Sequence, residues 1–141
     1  MQGSFVAEQP KTPLSYALLI VGLLFIFANI PLMELWPSGW RWEPGHPAYE
    51  QMILGIYATL GVFLVWASRD PVRHRSLILF AAWSSLVHAG IMLLHANRDT
   101  VHAGHLTGDV PFLAFAGVLL LIMLPQQKTR RSKSRRRGSS R

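Results

Sequence analysis

The chain has 141 residues, of which 50% are hydrophobic and 15% are charged, so its length suits a single domain. Its 14 Lys and Arg residues outnumber its 7 Asp and Glu residues, which gives a net charge of +7. Because the chain has no cysteine, disulfides, c-type haem attachment and thiolate metal sites are excluded.

Apolar residues are gathered into four blocks, which we predict to be membrane spans over residues 14–34, 49–68, 76–96 and 109–125. A helix needs about 20 apolar residues to cross a bilayer. The segments LLIVGLLFIF and FLAFAGVLLLIML lack the polar face that a helix of a soluble bundle presents to water. The first block is also longer than the apolar core of a signal peptide, and no small-x-small cleavage motif follows it. The predicted fold class is therefore all-α, a transmembrane four-helix antiparallel bundle over residues 14–125.

Two polar segments flank the predicted bundle. Residues 1–13 form a short lead that we expect to be flexible, and residues 126–141 form a basic tail that we expect to be disordered. Each basic residue close to a membrane surface contributes about 1 kcal/mol of attraction to anionic lipid. The candidate residues for binding anionic lipid headgroups are Lys128, Arg130, Arg131, Lys133, Arg135, Arg136 and Arg137. Nucleic acid is a poor fit as a partner, because no aromatic residues are interleaved with the basic ones.

The basic residues are distributed unevenly between the two sides of the predicted bundle. With four spans, Lys11, the Arg-rich hairpin 69–75 and the basic tail share one side, whereas Arg41 and Arg98 lie on the other. Loops that are rich in Lys and Arg remain in the cytoplasm. We therefore predict a multi-pass protein of the cell inner (plasma) membrane, with both termini cytoplasmic and the lipid bilayer as its constant partner.

The connection between the first two predicted spans is rich in aromatic residues. Trp36, Trp40, Trp42 and Tyr49 stand among prolines in residues 35–49. Because Trp and Tyr concentrate at the headgroup level of membranes, we expect this connection to lie flat on the membrane surface.

Small residues recur at four-residue spacing within two of the predicted spans. Gly55 and Thr59 share one face of the second span, and Ala81, Ser85 and Ala89 share one face of the third. Small side chains let membrane helices approach closely. We therefore predict that these five residues form helix-packing contacts.

The stretch of residues 84–111 carries four of the six histidines of the chain. His88 lies inside the third span, where it either forms a hydrogen bond that holds helices together or acts as a ligand or proton relay. In the loop that follows, Asp99 or Thr100 is placed to cap a short helix. Asp109 stands shortly before a proline and is predicted to be the N-cap of the fourth span.

Several imidazole and carboxylate groups are expected at one depth near the outer rim of the bundle. At about 1.5 Å per residue, His95 lies roughly 10 Å outward of His88, level with the starts of the second and fourth spans. Imidazole and carboxylate together suit zinc, iron, manganese or copper. The sequence establishes no cofactor, but it supports the hypothesis of a divalent-metal site. The candidate ligands are Glu50, His95, His105 and Asp109, with His102 as a reserve ligand and His88 as an inner partner.

Four short motifs between residues 34 and 124 carry a resemblance to a known family. They are Glu50 with Tyr57, the Arg69-Asp70-Pro71 turn, Trp83-Ser84-Ser85 with His88, and Gly104-His105-Leu106 with Gly108-Asp109-Val110-Pro111. In these motifs the chain resembles an uncharacterised family of short bacterial four-span membrane proteins, a domain of unknown function. The resemblance implies a bacterial inner-membrane location and the four-helix layout, and it implies no activity, substrate or cofactor.

Two classes of function remain open. The first is a structural, binding or accessory membrane subunit, which would pack against a second copy of the chain or against a membrane partner subunit. The alternative is a divalent-metal- or proton-handling membrane protein, or an enzyme, that uses the histidine and acid cluster at the outer membrane rim. The sequence contains no nucleophile elbow, phosphate-binding loop, HExxH motif or nucleotide fingerprint. We therefore favour the first, non-enzymatic class.

Overall fold

The computed structural model describes residues 11–42 and 47–124, and every regular element within these two ranges is helical. The elements are α1 (Pro13–Phe27), α2 (Asn29–Leu35), α3 (Pro37–Trp40), α4 (Pro47–Ala67), α5 (Arg75–Arg98), a 3-10 helix (Thr100–Leu106) and α6 (Asp109–Met123). The all-α prediction is therefore confirmed for this part of the chain. The predicted disordered tail and its lipid-binding residues lie outside the described residues, as does most of the predicted N-terminal lead.

Three helical segments in the described ranges are long and apolar enough to cross a membrane, namely Ala48–Ala67, Arg75–Arg98 and Thr100–Met123. Together α1 and α2 reach the same length, but they are bent by 56° relative to each other. By length and composition the chain thus has three candidate spans, or four if the bent pair counts as one. The first predicted span is therefore not one straight helix, and the last gains length from the 3-10 helix that precedes α6.

The bend between α1 and α2 has a local cause. Pro31 has no N–H group, so the carbonyl of Phe27 loses the helical hydrogen bond that it would otherwise accept. Just before the proline, the Asn29 side-chain amide donates to the carbonyl oxygen of Phe25 at 3.0 Å. This bond gives the carbonyl of Phe25, in the last turn of α1, a side-chain partner close to the C-cap residue Ala28.

The long helices form two pairs around a common core. α1 packs mainly against α4, α5 packs mainly against α6, and a smaller contact between α1 and α6 joins the two pairs. The fully buried side chains at the centre are Leu18, Phe25, Leu64, Ile78 and Leu120. α4 and α5 are consecutive in the chain but touch each other little. Space is therefore left between these two helices.

The outer surface of the bundle is apolar. Ile20 on α1, Ile56 on α4, Phe80 on α5 and Phe115 on α6 are each more than half exposed. Large exposed apolar surfaces on all four long helices are unfavourable in water, but they match the hydrocarbon interior of a bilayer. The burial pattern therefore agrees with the membrane-helix prediction.

A pair of glycines sets the distance between α1 and α4. A Cβ atom built on Gly22 would lie 2.8 Å from the carbonyl oxygen of Gly61, and one built on Gly61 would lie 2.6 Å from the carbonyl oxygen of Gly22. Since real Cβ atoms do not approach carbonyl oxygens so closely, both positions need glycine for this contact.

The predicted packing residues on α4 are not at this contact. Gly55 and Thr59 are exposed, and a Cβ atom on Gly55 would meet nothing within 4 Å. At about 100° per residue, they are rotated by roughly 120° and 160° from Gly61. Within one chain the prediction for these two residues is therefore not met. The three predicted residues of α5, which are Ala81, Ser85 and Ala89, are buried.

Candidate functional site

A buried carboxylate ties the segment after α3 to the 3-10 helix and to the start of α6. One oxygen of Asp109, Oδ2, accepts a hydrogen bond from Trp42 Nε1 at 2.8 Å and lies 2.9 Å from His105 Nδ1. The exposed fractions of His105 and Asp109 are only 1% and 6%. We assign the proton of this pair to Nδ1 of His105, which then donates to Oδ2 of Asp109. We call these three residues, Trp42, His105 and Asp109, the Asp109 anchor.

The indole ring of Trp42 is held by stacking as well as by its hydrogen bond. Its centroid lies 4.0 Å from the ring of His105, with 27° between the planes, and 5.0 Å from the ring of His102, with 23° between the planes. Two nearly parallel neighbours and one fixed N–H bond leave the ring little freedom to rotate. The chain after α3 is thereby attached to the start of α6.

Two glycines bring α3 close enough for this contact. A Cβ atom on Gly104 would overlap the carbonyl oxygen of Ser38, and one on Gly108 would overlap the carbonyl oxygen of Gly39. The backbone of α3 therefore rests directly on the backbone of the 3-10 helix and of the turn before α6. With any larger residue at 104 or 108, Trp42 would be displaced from Asp109.

A cavity of about 590 Å³ opens beside the Asp109 anchor. It occupies the space between the first half of α4 and the second half of α5, and residues of α1, α2, α3 and α6 complete its walls. Its volume falls in the range of roughly 300 to 1,000 Å³ that is usual for small-molecule sites. Apolar and aromatic side chains make up most of the wall, and its other polar side chains are Asn29, Glu50, His88, His95, His102 and Asp109. We call this space the rim cavity.

Three of the residues that line the rim cavity hold a buried polar atom without a hydrogen-bond partner. These atoms are Trp40 Nε1, Glu50 Oε1 and Asp109 Oδ1. A buried polar atom left without a partner costs about 1 to 3 kcal/mol. One unpaired donor and two unpaired acceptors at a single cavity therefore mark a place where a bound group would be stabilised.

Residues 8–140 match the family of unknown function DUF6632. The chain belongs to this family. The resemblance to an uncharacterised family, drawn from the sequence motifs, is confirmed to that extent. No curated protein and no solved structure matches the chain. The function of this DUF6632 protein therefore has to be argued from its own site.

The structure brings most of the predicted metal-site residues to the rim cavity. Glu50, His95, His102 and Asp109 line it, whereas His105 lies behind Asp109 as part of the Asp109 anchor. Among the residues that the structure describes, no three His, Asp or Glu side chains are grouped so that they could hold one metal ion. Oδ2 of Asp109 is moreover occupied by two N–H donors. The divalent-metal site therefore stays a hypothesis from the sequence.

His88 also lines the rim cavity, at its inner end. Its ring meets the edge of Tyr57 at a centroid distance of 5.4 Å, and Tyr57 in turn meets Phe25 at 5.0 Å. The Ser84 hydroxyl, one turn away, donates to the carbonyl of Ala81 within its own helix. In this DUF6632 protein, aromatic contacts thus hold His88 in place between α4 and α5.

The prediction that Asp109 caps the fourth span is wrong. α6 begins at Asp109 itself, its N-cap is Gly108, and the Asp109 side chain points to Trp42 and His105 instead. The prediction for Asp99 is confirmed, because its side chain accepts a hydrogen bond from the backbone N–H of Val101 at the start of the 3-10 helix. A short acid near a helix start can take either role, and only the tertiary partners decide between them.

The roles of Trp40 and Trp42 were missed from the sequence. Both side chains line the rim cavity, whereas the aromatic connection was expected to lie flat on the membrane surface. Trp36 and Tyr49 are the exposed members of the group. The clustering of Trp beside prolines was visible, but 67 residues separate Trp42 from its partner Asp109. No spacing rule connects two positions at that distance.

Proposed function

We propose that this DUF6632 protein is a membrane-embedded binding protein, which takes a small molecule with an apolar body and one polar group into the rim cavity. One observation carries the proposal. Of the four buried side-chain polar atoms without a partner in the described residues, three belong to residues that line this cavity. They are located in Trp40, Glu50 and Asp109, and the fourth is located in Ser85.

The wall of the rim cavity has an apolar part and a polar part, and this arrangement supports the same function. Ile53, Leu54, Ile91 and Met92 form an apolar surface from α4 and α5, which face each other across the cavity. Such a surface stabilises the apolar part of a ligand by about 25 cal/mol for each Å² removed from water. The polar atoms of the wall then fix the orientation of the ligand.

The Asp109 anchor keeps this site in shape. It holds Trp42 on the cavity wall through one hydrogen bond and two stacking contacts. A wall that is fixed before the ligand arrives loses little conformational entropy on binding. We therefore assign the Asp109 anchor a positioning role in the proposed binding function.

Equilibrium dialysis of 2-phenylethanol against the protein in lipid nanodiscs tests the proposal, with empty nanodiscs as the background. We expect saturable binding of about one molecule per chain. The variant Leu54→Trp fills the cavity and should abolish binding, whereas Ile56→Trp adds the same ring to the exposed face of α4 and should not. Equal binding by both variants, or no saturable binding by the natural chain, would refute the proposal.

We further propose the membrane arrangement that the sequence predicts. The bent pair of α1 and α2 serves as the first of four spans in the inner membrane, and both chain termini are cytoplasmic. The apolar outer surface and the excess of basic residues on one side support this arrangement. The rim cavity then faces the side away from the cytoplasm, since it lies at the end of α5 opposite the hairpin to α4.

The proposed partners are anionic lipid headgroups, which the basic tail would bind at the cytoplasmic face. A second copy of the chain or a membrane partner subunit stays a prediction from the sequence. Deletion of residues 129–141 should weaken flotation with vesicles that contain phosphatidylglycerol, and it should leave binding to neutral vesicles unchanged. The same loss on both kinds of vesicle would contradict a headgroup-binding tail.

A further inference from the structure

The rim cavity is lined by acidic groups without a Lys or Arg to balance them. Glu50 and Asp109 line it together with three histidines, His88, His95 and His102, and no Lys or Arg is found on its wall in the described part of the chain. Oδ2 of Asp109 lies within hydrogen-bond distance of Trp42 Nε1 and His105 Nδ1, which leaves Oδ1 on the cavity side without a partner. This lining contrasts with the net charge of +7 of the whole chain.

Aromatic rings surround these two carboxylates. Six rings of Phe, Tyr and Trp line the rim cavity, and they belong to Phe25, Trp40, Trp42, Tyr49, Tyr57 and Phe112. The face of an aromatic ring attracts a cation within about 6 Å, and the attraction increases when water is excluded. Sites that bind quaternary ammonium groups are built in this way, from several rings together with negative charge.

Acceptors outnumber donors among the unpaired buried atoms of the rim cavity. Trp40 Nε1 is the donor, and Glu50 Oε1 and Asp109 Oδ1 are the acceptors. An anionic ligand would meet two carboxyl groups, with the Trp40 N–H and the rings of three histidines as the donors. A cation would meet two acceptors and the ring faces.

We propose that the rim cavity selects organic cations, namely ammonium groups attached to an apolar body. This inference rests on the proposed binding function and adds the charge of the ligand. The ammonium group lies between Glu50 and the aromatic rings, and the apolar body lies against Ile53, Leu54 and Met92. Charge complementarity at the polar end and burial at the apolar end together define the ligand class.

The absence of cysteine from the chain allows a direct test with thiol reagents. Leu54→Cys places a single thiol in the rim cavity, and Val72→Cys places one at an exposed reference position. Because Val72 lies in the Arg-rich hairpin, which itself disfavours the cationic reagent, the effect of Glu50→Gln at Leu54→Cys is the decisive comparison. Each variant is treated with a trimethylammonium-ethyl or a sulfonato-ethyl methanethiosulfonate, which are similar in size and opposite in charge. The measured quantity is the ratio of the two labelling rates.

We expect the cation-to-anion ratio at Leu54→Cys to exceed that at Val72→Cys by about tenfold, equivalent to about 1.4 kcal/mol. Adding Glu50→Gln should lower the ratio several-fold, whereas the control Glu34→Gln, on an exposed acid that does not line the cavity, should leave it unchanged. Phenyltrimethylammonium should slow labelling at Leu54→Cys but not at Val72→Cys.

The outcomes separate this inference from the proposed function. Equal ratios at the two positions, or a ratio unaffected by Glu50→Gln, would overturn cation selection, and saturable 2-phenylethanol binding would then still support a cavity for neutral ligands. If 2-phenylethanol shows no saturable binding, the proposed binding function itself is refuted, and cation selection is refuted with it.

Discussion

Replacing Asp109 with alanine removes the oxygen that accepts hydrogen bonds from both Trp42 and His105. The two N–H donors lie 2.8 and 2.9 Å from Oδ2, and the His105 ring is 1% exposed, so water does not reach its N–H, whereas Trp42 lines the rim cavity. Each donor left without a partner costs about 1 to 3 kcal/mol. Removal of a buried charge offsets part of this cost. We expect Asp109→Ala to lower the free energy of unfolding by about 2 to 5 kcal/mol.

Asp109→Asn keeps a hydrogen-bond acceptor at this position but removes the carboxylate, so it distinguishes the effect of the acceptor from that of the charge. Its amide oxygen can still accept both N–H bonds, but neutral hydrogen bonds are weaker than charge-assisted ones, so a loss of about 1 to 2 kcal/mol is expected. Asp99→Ala is the control, because this exposed acid caps the 3-10 helix and lies 3.9 Å from His102 Nε2, but forms no hydrogen bond with Trp42 or His105 in the described residues. Loss of a cap of this kind costs about 1 kcal/mol.

The assay is unfolding by sodium dodecyl sulfate in mixed micelles, followed by circular dichroism in the far and near ultraviolet. The far-ultraviolet signal reports helix content, and the near-ultraviolet signal reports the packing of Trp42 against His102 and His105. Neutral surface substitutions change the free energy of unfolding by up to about 0.5 kcal/mol. A change no larger than this for Asp109→Ala would refute the reasoning. An Asp109→Asn variant as unstable as Asp109→Ala would refute it as well.

Glycine contacts and membrane topology give two further predictions. Gly61→Ala should destabilise the bundle, because overlap with Gly22 costs about 1 to 3 kcal/mol, more than the helix-propensity gain of about 1 kcal/mol. Gly55→Ala, on the open face of the same helix, should be neutral or stabilising in the same unfolding assay, and equal effects would contradict the α1–α4 contact. A reporter fused after Ser68 should be cytoplasmic and one at Thr100 external, and a cytoplasmic reporter at Thr100 would rule out four spans.

Local sequence was sufficient for properties that depend on neighbouring residues. The apolar blocks identified the helices, because burial of backbone hydrogen bonds in lipid requires a helix wherever a long apolar segment occurs. Asp99 was one of the two residues predicted to cap the 3-10 helix, and this was possible because its carboxylate and the Val101 N–H that donates to it are only two residues apart. The polar stretch around His102 and His105 also indicated where a site should be sought, and the rim cavity opens there.

Properties that depend on the relative position of helices were not accessible in this way. Gly55 and Gly61 are both small residues of α4, yet only Gly61 faces α1, and the sequence contains no information on which face of a fully apolar helix meets a neighbour. Because all faces of such a helix are hydrophobic, the periodicity that reveals the buried side of a soluble helix is absent.

The sequence by itself determined the helical membrane character of this DUF6632 protein and the end of the bundle at which its polar residues collect. The tertiary structure alone decided that Asp109 is an anchor for Trp42 and His105, and that α4 and α5 stand apart to leave a cavity. The physical reason is that a helix forms through bonds between residues four apart, whereas a site forms through contacts between segments. Trp42 and Asp109 meet only after α3, the 3-10 helix and α6 have packed together.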